Sequence, residues 1–186
     1  RKEVFLTQNL TENTRYSAST GIGGRHADPK VLVQMDSYAI GGLQPGQVKY
    51  LYAPTHLNPT YEYGVTFERG SYVEYGDRRH VFISGTASIN NRGEVVHVGD
   101  VRQQTLRMWE NVETLLAEAG CSYDDVAHMV VYLRDTADSA VVKQLYDERF
   151  PNKPKVFLLA PVCRPGWLVE MECMAIKDTE SSYPNF

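Results

Sequence analysis

Glu170 and Glu172 stand two residues apart in the stretch Leu168-Val169-Glu170-Met171-Glu172. If that stretch is a β-strand, alternation puts both carboxyl groups on one side and Val169, Met171, Cys173 and Ala175 on the other. A carboxyl group works as an acid near neutral pH only where burial or a neighbouring charge raises its pKa. The plainer alternative is a pair of solvated carboxylates on an exposed strand face. Just upstream, Cys163-Arg164 brings a thiol and a guanidinium into the same part of the sequence, and Arg69 follows Glu68 in Phe67-Glu68-Arg69-Gly70. Arg164 and Arg69 could bind substrate carboxylates or make surface ion pairs; Arg15 and Tyr16 are weaker candidates of the same kind. Cys163 is either a pocket residue or a small buried hydrophobe, with no histidine placed by sequence to activate it as a nucleophile. Ser84, Gly85 and Thr86 could present backbone amides to an anion, although a strand ending in a glycine kink explains them more simply.

Other chemistries find no support. Gly21-Ile22-Gly23-Gly24 lacks both the Lys-Ser/Thr of a phosphate loop and the third spaced glycine of a dinucleotide fingerprint. His26, His56, His80, His97 and His128 are scattered, and Cys121, Cys163 and Cys173 lack paired CxxC spacing, so neither a metal nor a cofactor is expected. A net charge of −4 without a basic stripe argues against nucleic acid as a partner. No apolar stretch approaches the ~20 residues that span a bilayer, and no secretory signal is visible, so a cytoplasmic chain with reduced thiols is expected. The chain opens Arg1-Lys2 rather than with Met, as a processed or truncated product would.

The elements that must position these residues can be read from punctuation and period. With 42% hydrophobic and 23% charged residues in 186, a folded, soluble domain with a sizeable core is expected. Residues 1–61 are broken by Gly21, Gly23, Gly24, Pro29, Gly41, Gly42, Pro45, Gly46, Pro54 and Pro59, which predicts short strands, Val31–Met35 and Val48–Tyr52 among them, joined by turns. Val81–Gly85 reads as a strand, and Asn90-Asn91-Arg92-Gly93 as the turn of a hairpin. Asp100 is placed to cap a helix in which Leu106, Trp109, Val112, Leu115, Leu116 and Ala119 form the inner stripe and Gly120 supplies the stop. Val126–Leu133 predicts a buried strand; Asp138 is placed to cap a second helix, ended by Pro151 and Pro154; Val156–Val162 and Leu168–Ile176 predict two final strands. The order β-β-α-β-α-β-β makes an α+β fold, one mixed sheet with both helices on one face.

Three segments in this order resemble the RidA/YjgF family: Phe82-Ile83-Ser84-Gly85-Thr86-Ala87-Ser88-Ile89, Gln103-Gln104-Thr105 through Glu110-Asn111-Val112 to Ala119-Gly120, and Leu168-Val169-Glu170-Met171-Glu172. The resemblance covers roughly the last 120 residues. It implies a chorismate-mutase-like fold, a homotrimer with sites between subunits, and, for typical members, hydrolysis of enamines or imines derived from amino acids. One departure bears on the chemistry. Family deaminases carry a carboxylate-binding Arg in a Pro-Ala-Arg-like segment, and counting back fifteen residues from Glu170 puts Lys155 there. Lys offers a charge but not the planar two-point fork of Arg.

Cys163-Arg164 followed by Leu168–Glu172 also resembles the C-terminal segment of the chorismatases, as do Gly85–Ile89, His97–Val101 with Gln104-Thr105, and Phe67–Gly70. That resemblance implies an acid at Glu170, seven residues after the Cys, which protonates an enolpyruvyl ether so that water releases pyruvate from a cyclic carboxylic acid. Substrate-binding residues would then be Arg164, Cys163, Arg69, Lys155, Ser84, Gly85 and Thr86, and the partner a small carboxylate-bearing substrate. Three parts are expected: 1–61, a remnant or connection of an N-terminal chorismatase-like domain; 62–177, the RidA/YjgF-like domain; and 178–186, a tail. A Rid-type deaminase and a non-catalytic ligand-binding member are the alternatives, since a fold alone does not guarantee chemistry.

Overall fold

The computed structural model describes residues 2–11 and 14–186. The elements run α1 (Lys2–Thr7), β1 (Val48–Leu51), β2 (Gly70–Glu74), β3 (Arg78–Ala87), α2 (Val101–Glu118), β4 (Val126–Leu133), α3 (Ser139–Arg149), β5 (Lys155–Leu159) and β6 (Val169–Asp178). One sheet takes the order β1-β2-β3-β6-β4-β5, antiparallel except for β4 and β5. That parallel pair is the one joined through a helix, α3, as a parallel connection requires. From β3 onward the helices and later strands follow the predicted order, but the hairpin expected around Asn90-Asn91-Arg92-Gly93 yields only an isolated Ile89–Val95 bridge, and β3 pairs instead with β2, a strand the sequence reading does not name.

Helix α2 forms where its apolar stripe and cap agree. The Asp100 carboxylate accepts from the Gln103 amide, and Gly120 adopts a φ of +68° just past the end. Met108, Trp109, Val112, Leu115 and Leu116 point into the core with Val81, Met129, Val131, Tyr146, Val169 and Met171. Burial of these side chains is worth about 1.5–3 kcal/mol each against exposure, which makes the α2–sheet interface the main source of stability.

Three expectations need correction. Val31–Met35 forms no strand: Leu32, Val33 and Met35 are at least 80% exposed, because among the described residues no strand pairs with this stretch to complete a ladder. Asp138 precedes α3 but its side chain makes no capping bond; Asp135, three residues earlier, caps a short 3-10 turn at Thr136–Asp138 that leads into the helix. The predicted strand Val156–Val162 ends at Leu159, after which Arg134 gathers the chain into a loop. The sheet also crosses the boundary expected at 61, since β1 pairs with β2 throughout its length.

Alternation along β6 divides the sheet. Val169, Met171, Cys173 and Ala175 are buried beneath the helices. Glu170, Glu172, Met174 and Ile176 lie on the opposite face, where Val130 and Phe82 flank Glu172 and Met174 in register. Here Glu170 is buried, Glu172 and Met174 are half-buried, and Ile176 is exposed.

A buried carboxyl under an N-terminal strap

Glu170 is only 3% exposed, and its Oε2 has no hydrogen-bond partner. Burial pushes its pKa from the ordinary 4.5 up to about 7; the Glu172 charge adds to the rise and the Arg69 guanidinium opposes it. The carboxyl group is therefore half-protonated near neutrality, as a general acid should be.

The backbone makes room for it at a β-bulge. Between β3 and β6 the register passes from Ile83 opposite Cys173 to Thr86 opposite Met171, so β3 carries one extra residue at Ser84-Gly85. A β-carbon built on Gly85 would stand 2.1 Å from Glu170 Oε1, a separation no side chain could accept. Glycine is thus required here so that the carboxyl can lie against the strand. The reading of Ser84-Gly85-Thr86 as a strand with a glycine kink describes the backbone. Neither hydroxyl is idle, however: Ser84 Oγ donates to the Glu68 carbonyl and accepts from the Ser19 amide, and Thr86 Oγ1 donates to the Ser84 carbonyl.

Over this bulge runs residues 16–23, an extended strap from the N-terminal part of the chain. Its attachments are mostly to residues of the site. The Tyr16 amide donates to Glu68 Oε1 at 3.0 Å, the Glu68 amide to the Ser17 carbonyl, the Ser19 amide to Ser84 Oγ at 2.9 Å, and the Gly85 amide to Thr20 Oγ1 at 2.9 Å. At its far end the Gly23 amide donates to the Pro161 carbonyl, and the Cys163 thiol donates to the Gly21 carbonyl at 2.8 Å.

The structure brings most of the sequence candidates to this place. Cys163 is exposed beside the strap, so it is not the buried hydrophobe that one sequence reading allows; partial desolvation of its thiol and the Glu170 charge raise its pKa, with Arg164 and Arg134 acting against the rise. That direction opposes thiolate formation. Arg164 is exposed on the same loop and lies over the Trp167 ring, 5.8 Å from its centroid. Arg69 is buried; its guanidinium donates to the carbonyl oxygen and Oδ1 of Asn58, both at 2.9 Å. With Arg15, Tyr52, Leu57 and Tyr61 it lines a small cavity of about 50 Å³. Arg15 stands over the Tyr52 ring.

Lys155 does not join the cluster. In register with Met129 and Cys173 it faces the helices, where Nζ bonds the Phe150 carbonyl at 2.9 Å and Asp147 at 3.2 Å. Counting residues along the chain could not anticipate this, because strand parity decides which face a side chain takes.

Four residues of the site escaped the sequence reading. Tyr132, opposite Glu170 in β4, donates its hydroxyl to Glu172 Oε1 at 3.0 Å. Arg134 donates to the Trp167, Val162 and Arg164 carbonyls and so fixes the loop that carries Cys163 and Arg164. Gln104 and Asn111 are fully buried on α2: the Gln104 side chain bonds His97, Gly166 and Leu168, and Asn111 Nδ2 bonds the Ala87 and Ile89 carbonyls. A usable clue existed for this pair. Two amides seven residues apart on the inward face of an amphipathic helix mark buried polar groups that must have partners. Among the described residues no cluster of three potential metal ligands occurs, and no helix is long and apolar enough to cross a membrane.

Comparison with known proteins places this arrangement in context. The sequence pattern of the endoribonuclease L-PSP family matches residues 67–177. A RutC family protein of Pyrococcus abyssi is 37% identical over 101 residues, 53% of this chain and 79% of that protein. The 3-aminoacrylate deaminase RutC of Acinetobacter baylyi is 33% identical over 97 residues, 51% of this chain and 77% of that one. Among solved structures, yeast Mmf1 superposes with a TM-score of 0.60 at 17% identity, over 70% of this chain and 98% of its own. A chorismatase superposes with a TM-score of 0.75 at 23% identity, over 94% of this chain but 55% of its own. At such identities the likeness is one of fold. Its coverage of 94% takes in most of the residues before 67 as well.

Proposed function

Because the chain belongs to the endoribonuclease L-PSP family, the RidA/YjgF superfamily, we propose that its shared sheet face serves an acid-catalysed hydrolysis of a small unsaturated carboxylate, with Glu170 as the acid. The substrate class we favour is an enolpyruvyl ether such as chorismate. Protonated Glu170 would deliver its proton to the terminal methylene carbon of the enol ether, leaving a cation stabilised by the ether oxygen. Water adds to the neighbouring carbon, the one that bears the ether oxygen and the carboxylate, and returns a proton to Glu170; the resulting hemiketal expels the ring alcohol, and pyruvate and a cyclic hydroxy acid leave. One water is consumed and no oxidant is needed. Arg69 and Arg164 would supply positive charge for the substrate's carboxylates.

The single observation that carries this reading is the buried Glu170 carboxyl, its Oε2 without a hydrogen-bond partner among the described residues and its pKa near 7. Supporting it is the fold likeness to a chorismatase, which extends over most of the residues outside the family pattern. The test is incubation with chorismate and an assay for pyruvate; turnover no faster than in Glu170→Gln would remove the reading.

A second reading is favoured by the RutC relatives: deamination of an enamine such as 3-aminoacrylate, in which the same acid would protonate carbon and water would release ammonia. The face-away position of Lys155 weighs against its use as the carboxylate anchor in that chemistry. Ammonia release from freshly generated enamine would favour this reading over the first.

For either substrate we expect a homotrimer whose sites are completed between subunits. Val156, Leu158 and Ile176 are 38–45% exposed and, by register, share the sheet face away from the helices. Covering such groups removes a cost of about 1.5–3 kcal/mol per side chain if exposure would otherwise be complete. Light scattering coupled to size exclusion measures the assembly, and a fully active monomer would refute it.

A further inference from the structure

Thr20 lies outside the residues matched by the family pattern, yet its methyl and the Glu170 carboxyl crowd the same side of Gly85. Its hydroxyl accepts the Gly85 amide at 2.9 Å. Its methyl carbon lies 2.8 Å from the point a Gly85 β-carbon would occupy, while Glu170 Oε1 lies 2.1 Å from that same point. Methyl and carboxyl therefore close on each other above the bulge. The bulge turns the Gly85 amide out of the β3–β6 ladder, and Thr20 supplies its acceptor. Either side of Thr20, the strap is tied down by Ser19 to Ser84 and by Gly21 to Cys163.

We propose that Thr20 is a positioning residue of the catalytic centre: its hydroxyl fixes the Gly85 bulge, and its methyl roofs the Glu170 carboxyl against water. The proposal rests on the reading of Glu170 as the acid. It makes the N-terminal strap a working part of the site, so that the family segment from residue 67 onward would hold the acid without keeping it dry. The groups that set the carboxyl's surroundings come from every element packed on it. Glu172 lies on β6 itself, Tyr132 on β4, Arg69 before β2, and Cys163 on the loop before β6. Ser84 and Gly85 on β3 bring no charge, and Thr20 brings only a methyl and a hydroxyl. Removing the roof leaves the charges in place and lets water in, which favours the carboxylate.

The experiment follows the Glu170 carboxyl directly, by the carbon NMR of side-chain-labelled glutamate with Glu170→Gln for assignment, together with amide exchange at Gly85. Thr20→Gly is expected to lower the Glu170 midpoint by about one pH unit and to speed Gly85 exchange about tenfold; Thr20→Ser, which keeps the acceptor and loses the methyl, should lower the midpoint by about half a unit while Gly85 stays protected. With an accepted substrate, kcat above neutrality should fall about tenfold in Thr20→Gly with little change in KM, following the protonated fraction. A Glu170 midpoint unmoved in both variants overturns the proposal. Should Thr20→Gly fail to fold, Thr20→Ser alone decides it. Because the titration needs no turnover, failure of the proposed reaction and failure of the roof are read separately.

Discussion

Met171 and Glu170 are neighbours in sequence and both nearly inaccessible, yet they inhabit opposite worlds. Met171 faces the helices, packed in the apolar core, with the Tyr146 hydroxyl on its sulfur. Glu170 faces the strap, with an oxygen that no described residue satisfies. One face of β6 is governed by packing, where each residue is explained by what it touches. The other holds a carboxyl group whose burial costs energy and which the proposed acid role would explain. Comparing the two faces shows how one strand, by its two-residue period, separates packed apolar residues from a buried carboxyl group.

Substitutions on the two faces should therefore fail in different ways. The largest expected effect is Glu170→Gln, which should lower turnover of an accepted substrate about 10²–10⁴-fold while circular dichroism and the melting profile remain those of a folded protein. Met171→Ala should do the reverse, costing about 2–5 kcal/mol in denaturant titration through lost contacts and the cavity left behind. If Met171→Ala were as stable as the parent, the division between the faces would not hold.

The pH dependence of stability sharpens the comparison further. Glu170 has a folded pKa near 7, above its ordinary 4.5, so its neutral form is the one the fold prefers. Its contribution is fully present below pH 4.5 and is lost as pH rises through 7. Glu170→Gln keeps the shape without the charge, so at pH 8 it should be more stable than the parent by on the order of 3 kcal/mol, an advantage that vanishes toward pH 4. Equal stability at both pH values would deny the strain. A smaller effect is expected from Glu172→Gln, which removes the neighbouring charge and should lower the Glu170 midpoint by about half a unit in the same titration.

The packed face was legible in the sequence and the reactive face only in outline. The limits of β4 follow from its run Val126–Leu133, and α2 from Asp100, its apolar stripe and Gly120, because these are local patterns set by short-range physics. The two-sided character of β6 was equally plain. What stayed hidden depends on contacts between distant residues: Ser19 with Ser84 and Thr20 with Gly85 are each 65 apart in the chain, and no local pattern announces such a bond. The same holds for Tyr132 with Glu172 across β4 and β6. Val31–Met35 misled in the opposite sense, since its β-prone composition has no strand beside it among the described residues. Lys155 misled through a count along the chain that ignored which face it takes.

The most direct measurement of the central claim is the titration of Glu170 in the unmodified protein, read from its side-chain carboxyl carbon between pH 3 and 9. The account predicts a midpoint of about 7, with the carboxyl substantially protonated at neutral pH; a midpoint at the ordinary 4.5 would contradict it.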